Sequence, residues 1–154
     1  MSRNLARELL RPAPLLRADD TVAVAARALM EGELRALPVI DARERFVGVF
    51  GEREFLGALF PGYVGELHNA AFITAALDDT IEHRLACAGE PVGNFVIKDH
   101  VDVPRDASDI DVAETFLHHR VLILPVLEDR RVVGVIDRQD FFAALAGAFL
   151  ARVS

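Results

Sequence analysis

Two short stretches of the chain end in acidic residues at matched spacing. "VGVFGERE", Val47 to Glu54, closes on Gly51 and Glu54, and "VGVIDRQD", Val133 to Asp140, closes on Asp137 and Asp140. In each, an apolar run of strand length gives way to a charged segment that opens a helix. Gly and Asp are favoured caps just before a helix, and an acid at the third helical position reaches back to the cap amide and suits the helix dipole. Starting helices is therefore one job for these four residues. A carboxylate has a second use, because its oxygens accept hydrogen bonds from two vicinal hydroxyls of a ligand. No Ser-His-Asp or Cys-His arrangement is legible in the chain, so the sequence predicts a protein that is not an enzyme.

Metal and phosphate-loop chemistry find little support. His118 and His119 are adjacent at the end of an expected helix beside Arg120, where side chains point apart and a partly positive group suits the C-terminal dipole. His68, His83 and His100 are scattered, and the lone Cys87 has no second cysteine at ligand spacing. No metal is expected, and Cys87 reads as a small buried residue on a helix. Neither GxGxxG nor a Walker loop occurs, and "GALFPGYVGE" has the wrong glycine spacing to cradle a phosphate.

Composition narrows the class of partner. The 154 residues are 52% hydrophobic, and 17 Lys and Arg against 24 Asp and Glu leave a net charge of −7. That balance argues against nucleic acid or an anionic membrane held by bulk electrostatics. The apolar run from Phe141 to Ala151 falls well short of the ~18 residues of a membrane span, and "MSRNLARELLR" lacks the apolar core of a signal peptide. With one cysteine there is no internal disulfide, which suits a reducing compartment. The expectation is a soluble cytoplasmic protein with no nucleic-acid or membrane partner.

The acidic stretches belong to a longer duplication. Pro38 matches Pro125 at an offset of 125 − 38 = 87, and Gly48 matches Gly134 at 86, so one residue is lost in the turn between them. At the same offset Thr21 aligns with Ser108, Leu29 with Phe116 and Met30 with Leu117. Each copy reads as strand, helix, strand, strand, helix. Val22, Ala25, Ala26, Leu29 and Met30 share one face of a helix opened by Asp20 or Thr21 and closed by Gly32. Val112, Ala113, Phe116 and Leu117 share a face in the second copy, behind a capping box of Ser108 and Asp111. "ALPVI" with "FVGVF", and "LILPVL" with "VVGVI", form hairpins.

The final helix is apolar on every face from Phe141 to Leu150, so it needs a cover besides its own sheet, from the equivalent helix of the sister copy or from a second chain. The layout is repeat 1 over 1–60, a helical connector over 61–93 and repeat 2 over 94–154. The connector starts a helix at Asp78 to Thr80 with Ile81, Leu85 and Ala88 on one face, and "LHNAAFI" adds a further turn or a contact surface.

This arrangement resembles the CBS domain pair, or Bateman module. "LPV" at Leu37 to Val39 and Leu124 to Val126, followed by "VGVFGERE" and "VGVIDRQD", carry the resemblance over most of the chain apart from the connector. It implies an α/β (α+β) fold of tandem β-α-β-β-α repeats packed about a pseudo-twofold axis, standing alone as a regulatory module and pairing into a homodimer that signals to a protein partner the sequence does not name. It also implies an adenosyl ligand between the copies: adenosine, AMP, ATP or S-adenosylmethionine. The family's ribose-binding acid maps to Asp140 and Glu54, and its phosphate-contacting Ser or Thr to Asp137 and Gly51. Its adenine-sandwiching apolar residues map to Val101, Ile123, Leu124 and Pro125, and to Leu37 and Pro38.

The chain departs from that pattern at both phosphate positions. A carboxylate at Asp137, about 4 Å from a phosphate charge, costs on the order of 4 kcal/mol at an effective dielectric of ~20, or about a thousandfold in affinity, unless Arg138 or a cation compensates. Gly51 offers no hydroxyl, and Glu54 is one methylene longer than Asp. The second copy is thus the better match. The alternative is a structural or protein-interaction dimer whose sites are degenerate.

Overall fold

Thr21 and Ser108 open equivalent helices by accepting backbone amides with their hydroxyls. Thr21 Oγ1 takes the Val24 N–H at 3.2 Å, and Ser108 Oγ takes the Asp111 N–H at 3.1 Å while Asp111 Oδ2 takes the Ser108 N–H at 3.0 Å. The computed structural model describes residues 4–60, 77–96 and 100–153. After α1 (Leu5–Glu8), the first repeat runs β1 (Leu16–Arg17), α2 (Val22–Glu31), β2 (Ala36–Ile40), β3 (Phe46–Gly51) and α3 (Glu52–Leu59). α4 (Leu77–Arg84) and 3-10 turns at Leu85–Gly89 and Val92–Asn94 precede the second repeat: β4 (Val103–Pro104), α5 (Asp109–His118), β5 (Ile123–Glu128), β6 (Arg131–Asp137) and α6 (Arg138–Val153).

Each repeat forms its own three-stranded sheet, with a parallel pair followed by an antiparallel hairpin. The registers are equivalent: Leu16 faces Val39 and Val103 faces Val126, both pairs 87 residues apart, and the ladder shifts just after Val39 and just after Val126. β5 alternates its side chains between two cores. Ile123, with Val135 of β6, joins Leu37, Val39 and Phe50 of the first repeat, while Leu124, Val126 and Ile136 pack with Val112 and Phe141 of the second. The sheets therefore meet through their inner faces.

The leading segments of the two repeats are exchanged. α1 packs on the second repeat, where Asp109 accepts the Leu5 and Ala6 amides at 2.8 Å each and Leu5, Leu9 and Leu10 join that core. Conversely, Val92, Phe95 and Val96 pack into the core of the first repeat, and Val22 and Gly93 donate to the carbonyls of Glu90 and Ala18. Each half is completed by chain that precedes the other.

Two expectations are corrected by the packing, and the two alternatives for covering the final helix are narrowed to one. Met30 and Leu117 are 87% and 79% exposed, off the buried face, because at 3.6 residues per turn they lie roughly 80° and 140° round from Val22 and Val112. In the connector, helical geometry tightens to a 3-10 turn at Leu85, so Ile81 and Leu85 stay exposed and the turn buries Cys87 instead. Arg84 fastens this segment by donating Nη2 to the Ala58 carbonyl at 2.7 Å. "LHNAAFI" lies outside the described residues. Finally, α6 buries Phe141 but leaves Phe142, Leu145, Phe149, Leu150 and Val153 exposed, so the sister repeat does not cover it. Among the described residues no helix is long and apolar enough to cross a membrane.

Candidate functional site

The cleft beside Glu54 starts where β3 turns into α3. Gly51 donates its N–H to Glu54 Oε1 at 2.8 Å, so the acid caps the helix as the residue types suggest. Burial pushes the Glu54 carboxyl above the usual glutamate range, against the opposing pull of the Gly51 amide, because the charged form loses hydration. A β-carbon on Gly51 would lie 2.6 Å from Ala36 Cβ and 2.7 Å from the Arg35 carbonyl, so only glycine fits between β3 and β2. Gly51 offers no hydroxyl, and the backbone leaves no room for one.

Around this turn lies a cavity of about 100 Å³ shared by both repeats. The first repeat contributes Ala36, Val49 and the Gly51–Glu54 turn, and the second contributes His100, Val101 and the run from Arg120 to Ile123. His100 is held by Asp102 Oδ2 at 3.0 Å from its Nδ1 and by an edge contact with Phe46, ring centroids 4.6 Å apart. Arg53 and Arg120 are exposed at the rim.

The surroundings of Asp140 are arranged differently. Arg11 donates from Nη1 to Asp140 Oδ2 at 3.3 Å and from Nη2 to Glu33 Oε2 at 2.8 Å. Its backbone exchanges two hydrogen bonds with Val135, at 3.0 and 2.9 Å. Beside it, Leu10 closes over Gly134, where a β-carbon would stand 2.7 Å from Leu10 Cδ1 and 2.8 Å from the Arg11 carbonyl. The bond to Glu33 and the pairing with Asp140 raise the Arg11 pKa. Asp137 accepts the Gln139 N–H at 3.3 Å, a capping contact at the start of α6. Arg138 lines a separate groove of about 600 Å³ between α5 and α6, together with Phe116, Leu117 and Phe142.

Of the residues singled out from sequence, Gly51, Glu54, Val101 and Ile123 come together around one cavity. Leu37, Pro38, Leu124 and Pro125 are buried in the sheets and do not line it. Asp140 faces the chain's own arginine. Arg11, Glu33, His100 and Arg120 were not among the candidates. A signal for two of them was present, since 120 − 33 = 87 places Glu33 and Arg120 at equivalent positions with opposite charge.

A sequence model of the CBS domain matches residues 6–61 and again residues 92–147. Among solved structures, the CBS-pair protein CBSX2 of Arabidopsis thaliana is similar over 96% of this chain and 97% of its own, with 19% identity and a TM-score of 0.71. A structure of CBSX2 in complex with AMP gives 20% identity, 96% and 98% coverage and a TM-score of 0.67. A putative acetoin utilization protein, AcuB, from Vibrio cholerae covers 100% of this chain and 98% of its own at 19% identity, TM-score 0.70. At these identities the likeness is one of fold.

Proposed function

The chain belongs to the CBS domain family, whose paired domains are regulatory modules, and from that premise we propose that it senses an adenosyl ligand in the cleft beside Glu54. The observation that carries this reading is the cavity built jointly by the Gly51–Glu54 turn and by Val101 and Ile123 of the sister repeat. The AMP held by CBSX2 supports the ligand class: adenosine, AMP, ATP or S-adenosylmethionine. At about 100 Å³ the cavity is smaller than the ~300 Å³ at which small-molecule sites begin, so a nucleoside enters by pushing the two repeats apart. Binding is thereby coupled to the angle between them, and a ligand that favours the wider arrangement shifts the population toward it. A protein partner reading that angle completes the signal.

Two chains pair through α6 in this reading, each covering the exposed row from Phe142 to Val153 on the other. A thermal-shift panel of the four ligands tests the sensor, because a ligand at 100 times its dissociation constant stabilises by about 2.7 kcal/mol. At least one ligand raises the melting temperature, and Val101→Phe, which fills the cavity, abolishes the shift. A flat panel on a folded wild type overturns the proposal. The Arg11–Asp140 latch favours a second reading, a protein-interaction dimer with degenerate sites, and the flat panel is its signature.

A further inference from the structure

We propose that the N-terminal segment ending in Arg11 is coupled to the cavity beside Glu54, so that a ligand widening that cavity tightens the hold of Arg11 on both repeats. The coupling rests on the reading of the cavity as a nucleoside site and adds its regulation, with the segment ahead of the first repeat as the element that registers occupancy.

The repeat relates two edges of the molecule. Glu54 and Arg120 line one edge, and their equivalents, Asp140 and Glu33, stand at the other. Glu44 and Arg131 are themselves equivalent, 131 − 44 = 87, and they form an ion pair at 2.8 Å. Equivalent residues in mutual contact mark the pseudo-twofold axis. There the hairpin turns are joined again by the Phe46 N–H, which donates to the Arg130 carbonyl at 2.9 Å. The repeats thus share a fulcrum with one edge on either side.

The two edges are held differently. Among the described residues no hydrogen bond or ion pair joins Glu52, Arg53 or Arg120 to the facing repeat. At the opposite edge the Arg11 guanidinium lies between Glu33 of the first repeat, at 2.8 Å, and Asp140 of the second, at 3.3 Å. The longer bond exceeds the usual charge-assisted length of about 2.8 Å and has room to shorten. Widening the Glu54 edge about the axis narrows the Asp140 edge, and that slack closes. The tie continues into the backbone: Arg11 exchanges two hydrogen bonds with Val135, and α1 before it is held by Asp109 through the Leu5 and Ala6 amides. Arg11 does not line the cavity, so a ligand there reaches it through the movement of the repeats.

Coupling between two sites is reciprocal in binding free energy, so cutting the latch weakens the ligand. Glu33→Gln cuts it at a side chain that is 84% exposed and outside the cavity, leaving Arg11 on Asp140. In calorimetric titrations of the full chain with adenosine and AMP, Glu33→Gln weakens binding about two- to fivefold, the scale of a partly exposed ion pair. The double variant with Arg11→Ala binds no more weakly than Arg11→Ala alone. Hydrogen exchange reads the segment itself: ligand slows the Leu5, Ala6 and Arg11 amides by a similar factor in wild type and not in Glu33→Gln, while the Val24 amide in the α2 cap is unchanged in both. If Glu33→Gln binds as wild type does, or if the N-terminal amides ignore the ligand, the coupling is overturned and the nucleoside site stands. Tighter binding by Glu33→Gln overturns it as well, because the latch then opposes widening. If neither compound binds wild type, the nucleoside reading falls, and this inference with it.

Discussion

The acids Glu54 and Asp140 stand in one repeated sequence pattern and differ in what reaches them. Asp140 carries the better match to the family's ribose acid, yet it holds Arg11, whereas the less conforming Glu54 borders open space. The difference teaches that an acid at the right position becomes a site only if no neighbouring segment satisfies it first. Here the exchanged N-terminal segment crosses β6 through the Arg11–Val135 pairing, so its arginine arrives with it. The helices that follow differ too: α3 exposes Leu56 where α6 exposes an apolar row.

The sharpest way to break the comparison is to put the missing hydroxyl into both repeats. Gly51→Thr forces a β-carbon against Ala36 and the Arg35 carbonyl and should destabilise by about 3 kcal/mol, roughly 6–12 °C in melting temperature. Asp137→Thr, half-buried with only a weak capping contact, should stay within about 0.5 kcal/mol. Equal losses in calorimetric melts would remove the asymmetry.

Assembly comes next. Phe149 is 67% exposed in the single chain, so under the proposed pairing through α6 Phe149→Glu should leave the fold intact and convert a dimer to a monomer by light scattering. The equivalent test on α3, Leu56→Glu, leaves assembly unchanged; if it dissociates the dimer instead, the wrong helix has been assigned.

Arg11→Ala should cost about 1 kcal/mol, the scale of partly exposed ion pairs, and the loss should not add to that of Asp140→Ala in a double-mutant cycle. Wild type should bind one nucleoside per chain, and a stoichiometry of two would show the latch to be no barrier.

The smallest effect is in pH. Glu54 has a raised pKa when folded, so its contribution is full below the ordinary glutamate range and is lost as pH rises through the raised value. Asp111, lowered by the Ser108 amide, contributes above the ordinary aspartate range and loses it as pH falls. Relative to wild type, Glu54→Gln should therefore gain stability from pH 4 to 7 and Asp111→Asn should lose it. Melts of the three proteins across that interval give the sign.

Much of the fold was legible because it is written in local chemistry. The Thr21 and Ser108 caps, the hairpins behind both "LPV" segments and the Gly51–Glu54 cap each depend on residues within a few positions of one another. The family pattern points Leu37, Pro38, Leu124 and Pro125 at a ligand, whereas the structure buries them, because central strands covered on both faces have few side chains to spare. The apolar pattern puts Met30 and Leu117 on a buried face, and the face the fold buries is narrower than that pattern.

By itself the sequence determined the duplicated unit, its element order and the two turns where acids gather, since periodicity and capping act over one or two helical turns. Tertiary structure alone decided which acid is paired with an arginine and which borders a cavity. That choice depends on residues 129 positions apart, Arg11 and Asp140, meeting across exchanged segments, and no local preference encodes a contact of that range.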